Sequence, residues 1–379
     1  LKWVSNVAVG YAANDDRWVP AIADFDQDGN PEVYIGNQIY NGQNGTLLVS
    51  GGVGGAKGSS PVSVNEAFSI AADVLPNGAC ANCAGLELIC GNTVYAVNLA
   101  TLNIATASFM PGISDGPTSL ADIDLDGDID AVVIGNTGGR ARLFIWDLQT
   151  ANLLAPPFQI DNATAAGANI TTAGGQPNVG DFNNDGTPEI GLAGNDVYLV
   201  LDFNGGTNTL FELWSTATQD GSERTGSSVF DFEGDGANEV VYRDETTLYV
   251  YDGANGNIKV QLPCQAATRY DYPVVTDVDG DGQTDIVCSC SNYIIVFESN
   301  AIPWVKAREV WNQHSYYVVN VNDDLTIPQV QQMHQLGYPA SAPANYPFNS
   351  FLTQTTQLDT NGLPIYAASD DSIGIADSI

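Results

Sequence analysis

Basic residues are scarce in this sequence. Lys and Arg number 11 in 379 residues against 45 Asp and Glu, giving a formal charge of −34. So large an acidic excess argues against binding a phosphate backbone, which needs basic side chains to displace counterions, and no nucleic-acid partner is expected. The same deficit argues against docking on an anionic lipid surface, and no direct membrane insertion is expected. No apolar run reaches the roughly 18–20 residues that a membrane helix needs, and no amphipathic helix of convincing length is present. Histidine occurs only as His314 and His334, neither within a nucleophile or metal motif, and G-x-S-x-G and H-E-x-x-H are both missing. His314, among Trp311, Tyr316 and Tyr317, reads as a packing residue. Two acids suffice for glycoside hydrolysis, so missing motifs alone do not remove an enzyme reading.

The apolar fraction of 44% is too large for an acidic disordered tail. The chain is therefore expected to be folded, and its carboxylates need a purpose. Leu1 is not a start methionine, and the close from Asp370 to Ile379 reads like a linker. Both are expected of a mature or excised piece of something larger. Six cysteines fall into two groups, Cys80, Cys83 and Cys90, then Cys264, Cys288 and Cys290. Their spacing fixes no pairing; disulfides suit an exported chain, and Cys80-x-x-Cys83 is also half of a zinc site.

One phrase recurs through the chain. It runs ADFDQDGNPEVYIGN from Ala23, ADIDLDGDID from Ala121, GDFNNDGTPE from Gly180, DFEGDGANE from Asp231 and DVDGDGQTD from Asp277. Two weaker copies start at Asp73, with a six-residue insertion before Glu87, and at Asn320, without the glycine. Starts at 24, 73, 122, 181, 231, 277 and 320 define seven units spaced by 43–59 residues, the period of a propeller blade. Each unit reads as four short β-branched and aromatic runs bounded by Gly, Asn and Asp. The expected fold is all-β, a seven-bladed β-propeller of four-stranded blades. Lys2-Trp3-Val4 matches Leu213-Trp214-Ser215 in its place before an acidic loop, so it is expected to close the last blade as an N-to-C clasp. Residues 1–330 would form the propeller. Residues 331–379, with poor and proline-broken strand signals, would complete the last blade and lead to a following domain.

In D-x-D-x-D-G-x-x-D/E, acids at positions one, three, five and nine face inward. Glycine at six permits the turn, and the carbonyl at seven adds an oxygen. Such a hard, oxygen-only cage between the first and second strands prefers Ca²⁺ to Mg²⁺. The first site would use Asp24, Asp26, Asp28, Asn30 and Glu32, and the third Asp122, Asp124, Asp126, Asp128 and Asp130. The fourth would use Asp181, Asn183, Asp185, Thr187 and Glu189, and the fifth Asp231, Glu233, Asp235, Ala237 and Glu239. The sixth would use Asp277, Asp279, Asp281, Gln283 and Asp285. Five bound Ca²⁺ would move the charge from −34 to about −24. Solvated Asx turns are the bland alternative, but without a cation each loop crowds like charges. In the second unit Leu75 and Asn77 replace two acids, and a link from Cys80 to Cys83, or from either to Cys90, is expected to staple the loop instead.

These residues resemble the FG-GAP/VCBS repeat family, the calcium propellers of integrin α-subunits and many exported bacterial proteins. WNQHSYY from Trp311 and the later FNSFLTQ and LDTNG are similar to segments of very large bacterial surface proteins. The resemblance implies a non-catalytic binding or adhesion module at the cell surface. Its partner would be a surface glycan or protein, or further copies of the same chain. A structural bead in a surface fibre and a glycan-degrading enzyme are the alternatives. The long loops Ser50–Val64, Asp161–Gln176 and Thr216–Gly226 are the expected partner-binding surface. Asn44, Asn162 and Asn169 open N-glycosylation patterns.

Overall fold

A computed structural model describes residues 2–6, 19–52, 68–80, 83, 85–332, 348–357 and 365. Among them are six antiparallel sheets and no α-helix. The first sheet contains Ala21–Ala23 (β1), Glu32–Ile35 (β2), Gln38–Tyr40 (β3) and Leu47–Ser50 (β4). The second contains Ile70–Ala72 (β5), Glu87–Cys90 (β6), Thr93–Asn98 (β7) and Asn103–Phe109 (β8). In the third, Thr118–Ala121 (β9), Asp130–Thr137 (β10) and Arg140–Asp147 (β11) are followed by two short strands on β11, Asn152–Leu153 (β12) and Phe158–Gln159 (β13). The fourth contains Asn178–Gly180 (β14), Glu189–Gly194 (β15), Val197–Asn204 (β16) and Thr209–Ala217 (β17). The fifth contains Ser227–Phe230 (β18), Glu239–Arg243 (β19), Thr247–Asp252 (β20) and Ile258–Pro263 (β21). The sixth has three strands, Val274–Thr276 (β22), Asp285–Cys290 (β23) and Tyr293–Phe297 (β24). Strand order follows chain order in each sheet, a meander closed by short turns, except that β13 returns to pair with β11 beyond β12. The all-β expectation and its units one to six thus match the sheets.

In the second to fifth sheets the second strands, and much of the third, are buried, as in Ala131–Ile134, Val197–Leu201 and Val240–Tyr242, whereas β24 of the sixth sheet is largely exposed. Continuous burial instead of alternation means that both faces of a sheet are covered. The first strands β9, β14, β18 and β22 neighbour one another. Two chain segments from beyond the sheets reach the first strand of each sheet or, in the third, the residue that follows it. Gln313 accepts the Ile22 N–H at 3.0 Å, and Tyr317 Oη donates to the Ala71 carbonyl at 2.5 Å. Asn349 exchanges two hydrogen bonds with the backbone of Asp122, at 2.7 and 2.8 Å. Phe351 and Val179 exchange two more at 2.9 Å, and Val229 N–H donates to Leu352 at 3.1 Å. Gln354 Nε2 donates to Val275 at 2.9 Å. Tyr317 stacks on Phe351, both buried.

From Glu298 to Gln357 the described residues hold isolated bridges and one 3₁₀ turn, Val318–Asn320, but no strand. The weak copy at Asn320–Asp324 is therefore not a strand–loop–strand unit there. Arg308 gathers this segment: Nε binds Asp323 at 2.7 Å, Nη1 the Val318 carbonyl at 2.7 Å and Nη2 the Val321 carbonyl at 2.6 Å.

Trp214 on β17 lies across the β20–β21 turn of the next sheet. Its Nε1 donates to the Gly253 carbonyl at 2.6 Å, and a Cβ on Gly256 would stand 2.5 Å from the indole ring. Trp3 repeats this on the first sheet, donating to the Gly42 carbonyl at 3.0 Å and lying 2.3 Å from where a Gly45 Cβ would be. The equivalence of Lys2-Trp3-Val4 with Leu213-Trp214-Ser215 is thus present in side-chain contact, although residues 2–5 are not assigned as strand.

The cysteines form disulfides Cys80–Cys83 and Cys264–Cys290, leaving Cys90 and Cys288 as buried thiols. The first bond lies inside the second unit's insertion, the place expected for a staple, and it consumes the half zinc site. His314 packs against Phe68 and Tyr272 at ring-centroid distances of 5.1 and 4.8 Å. Burial pushes its pKa down to about 4, so it is a neutral packing residue. His334 lies outside the described residues.

Candidate metal centres

The acidic loops join the first and second strands, and one register sets their ends. The residue before position one pairs with position nine: Ala23 with Glu32, Ala121 with Asp130, Gly180 with Glu189, Phe230 with Glu239 and Thr276 with Asp285. The ninth-position acid is the opening residue of the second strand, held beside the first. One of its oxygens accepts the position-two N–H, as in Phe25 N to Glu32 at 3.1 Å and Ile123 N to Asp130 at 2.8 Å. The same bond forms at Phe182, Phe232 and Val278.

The first-position aspartate organises the turn from inside. Asp24 accepts from Gly29 N at 2.8 Å, and Asp122, Asp181, Asp231 and Asp277 accept from Gly127, Gly186, Gly236 and Gly282. Position five accepts the amide of position seven, from Asn30, Asp128, Thr187, Ala237 and Gln283 onto Asp28, Asp126, Asp185, Asp235 and Asp281. All five glycines at position six have φ between 82° and 97°, where an L side chain is strained. Position four is left-handed as well, with Gln27, Leu125, Asn184, Gly234 and Gly280 at φ 58–80°. This second left-handed site was not legible in the sequence, because its occupants share no chemistry.

Carboxylate oxygens converge within 4.8 Å of one another in at least four loops. They belong to Asp24, Asp26 and Glu32; to Asp122, Asp124 and Asp130; to Asp181, Asp185 and Glu189; and to Asp277, Asp279 and Asp285. In each set the first or ninth acid is buried and the third- or fifth-position acid is exposed. Burial pushes the carboxyls of Glu32 and Glu189 up to about 8, Asp130 to about 9 and Asp285 to about 7. Repulsion from neighbouring loop acids adds to each. Among the described residues no Lys or Arg pairs with the acids of the first, third or fourth loop. In the fourth, Asn183 Oδ1 is buried without a hydrogen-bond partner. Hard oxygens, crowded charge and an orphaned acceptor are a donor set that fits a divalent cation. At the sixth loop Lys306 Nζ is 3.7 Å from Asp277, but its short contact is with Glu309 at 2.5 Å.

Two loops depart from this pattern. In the fifth, Lys259 Nζ binds Glu233 at 2.9 Å and Glu239 at 2.6 Å. In the second, Pro76 holds position four, where proline cannot take positive φ. There Glu87 still opens the second strand and accepts the N–H groups of Val74 and Leu75, both at 3.1 Å. Its carboxyl is pushed up to about 7, chiefly by burial.

Of the long loops, residues 53–64 lie outside the described residues. The other two are braced together: Glu223 accepts the N–H groups of Thr172 and Ala173 at 2.6 and 2.9 Å.

Residues 231–288 match the FG-GAP-like repeat model, which bears out the resemblance on the fifth acidic loop and its following strands. No curated protein sequence matches the chain. Among solved structures, the biofilm matrix protein Bap1 of V. cholerae is similar at 16% identity. That similarity covers 94% of this chain and 79% of Bap1, with a TM-score of 0.62. Sqt1 of Saccharomyces cerevisiae matches at 10% identity, covering 74% of this chain and 70% of its own, with a TM-score of 0.43. The exotype rhamnogalacturonan lyase YesX matches at 14% identity over 76% of this chain and 47% of its own, with a TM-score of 0.35. The Bap1 likeness speaks to the fold; the other two are too distant to bear on fold or chemistry.

Proposed function

We propose that this chain, which carries an FG-GAP-like repeat at residues 231–288, is a calcium-stabilised β-propeller that serves as a binding or adhesion module of an exported bacterial surface protein. The observation that carries the calcium reading is the repeated cage. At least four loops bring three carboxylates apiece within 4.8 Å of one another, on the same left-handed turn geometry. Ca²⁺ would be held by the assigned acids of the first, third, fourth and sixth loops. It would neutralise charge that otherwise opposes folding, and a site binding only the folded state at a hundred times its Kd contributes about 2.7 kcal/mol.

The ring reading rests on the segments that run along the first strands and on Trp3. Trp3 stands on the first sheet as Trp214 stands on the fifth. It would mark the outer edge of a seventh blade, completed from the C-terminal region. Because residues 349–354 cover the first strands, the partner surface is assigned to the rim loops around residues 161–176 and 216–226. The fold shared with a biofilm matrix protein supports an extracellular, matrix-associated role.

The test is direct. Purified chain is applied to glycan and surface-protein arrays with calcium and with chelator. Calcium-dependent capture of one ligand class, lost on substituting rim-loop residues, supports the reading. Turnover of a polysaccharide by the same preparation would contradict it.

A further inference from the structure

The third and fourth strands slip by one residue in four sheets, and each slip leaves one extra residue on the fourth strand. The paired residues are Ile39 with Val49 and Tyr40 with Leu47, which makes Leu48 the extra one. The same arithmetic of register gives Ala107 on β8, Leu213 on β17 and Lys259 on β21. A bulge re-aims the side chain it carries. Leu48, Ala107 and Leu213 turn onto the apolar core. Lys259 turns into the fifth acidic loop. There it joins the loop's third- and ninth-position carboxylates, Glu233 and Glu239, at 2.9 and 2.6 Å. Position three is glutamate only in this loop, one methylene longer than the aspartates of the first, third and sixth.

We infer that the fifth loop carries its own cation: the Lys259 ammonium stands where a calcium ion would bind, and this loop takes no metal while the other acidic loops do. The inference rests on the calcium reading proposed for those loops. An ammonium is a compact charge with three donors. Here it already occupies two of the carboxylates that a metal would need, offsetting one of their two charges, and it repels a divalent ion brought between them. In a chain with 11 basic residues, a lysine at an otherwise apolar bulge position has a defined use. The fifth loop would hold its shape in a calcium-poor medium, while its neighbours would not.

Bound calcium is counted on the full chain by equilibrium dialysis and elemental analysis. Wild type is expected to bind four ions and Lys259→Met five. Because Lys259→Met alone is open to misfolding, matched third-position substitutions are read beside it. Glu233→Gln should leave the count at four, and Asp124→Asn should lower it to three. Five ions in wild type, falling to four in Glu233→Gln, would overturn the inference and leave the calcium reading standing. No bound calcium in any form would overturn the calcium reading itself.

Discussion

The acidic loops depend on two backbone positions with opposite residue requirements. In the third loop Gly127 has φ 97° and Leu125 has φ 59°, with Leu125 exposed. A Cβ at Gly127 would meet nothing within 4 Å, so only conformation opposes it. Gly127→Ala is expected to lower stability by about 1–2 kcal/mol, the cost of a left-handed L residue. Leu125→Gly should cause no loss, since the fifth and sixth loops already carry Gly234 and Gly280 there. Denaturant melts of both variants check this, and equal losses would contradict it. The D-x-D-x-D-G spacing made the carboxylates legible in the sequence. The fourth position was not legible, because Gln27, Leu125 and Asn184 reach φ near 60° through the turn itself. Lys259 was also hidden, since its aim depends on a bulge that only strand register reveals.

At the scale of elements, the blade phrase predicted strands well where two neighbours bury them and poorly where they end the series. Trp214 shows what joins one sheet to the next: it is almost fully buried, with its indole over Gly256 and its N–H on Gly253. Trp214→Ala should cost about 3–5 kcal/mol, and Gly256→Ala should also destabilise, because the new methyl would meet the ring. Trp3→Ala should cost less, since Trp3 is only half-buried. Thermal unfolding ranks the three, and Trp3→Ala as the most damaging would contradict the equivalence. The seventh copy was misleading because its acids resemble a loop while Asp323 is bound to Arg308. In the second unit Glu87 keeps its structural bond without partner acids at positions three and five. That separates the ninth acid's role in folding from its proposed role with metal.

Across the whole molecule, the described residues place one buried glutamine at a junction. Gln354 Nε2 donates to the carbonyls of Val275, Arg308 and Val310 at 2.9, 2.9 and 3.2 Å, and its Oε1 accepts from Tyr316 at 3.0 Å. Gln354→Ala leaves these groups unsatisfied and should cost about 1–3 kcal/mol in a chemical denaturation curve. No pattern in the sequence announced this role, because the contacts span residues far apart in the chain.

The acids set the pH response. In the metal-free fold, carboxyls with ordinary values of 3.8–4.5 titrate at about 7 for Asp285, 8 for Glu32 and Glu189, and 9 for Asp130. The folded chain then binds protons more tightly than the unfolded chain, so stability falls as pH rises between those limits. In chelator the melting temperature should drop steadily from about pH 5 to pH 8. In excess calcium the drop should largely disappear, leaving the part due to Glu87 and to Glu239 of the metal-free fifth loop, both pushed up chiefly by burial, and a slope unchanged by calcium would contradict this.

The most direct measurement is thermal unfolding at pH 7.5 in chelator, in millimolar magnesium and in millimolar calcium, followed by circular dichroism. Filled calcium cages predict a melting temperature higher by more than about 10 °C in calcium than in chelator, with magnesium restoring little of it. Coincident curves in all three would contradict the account.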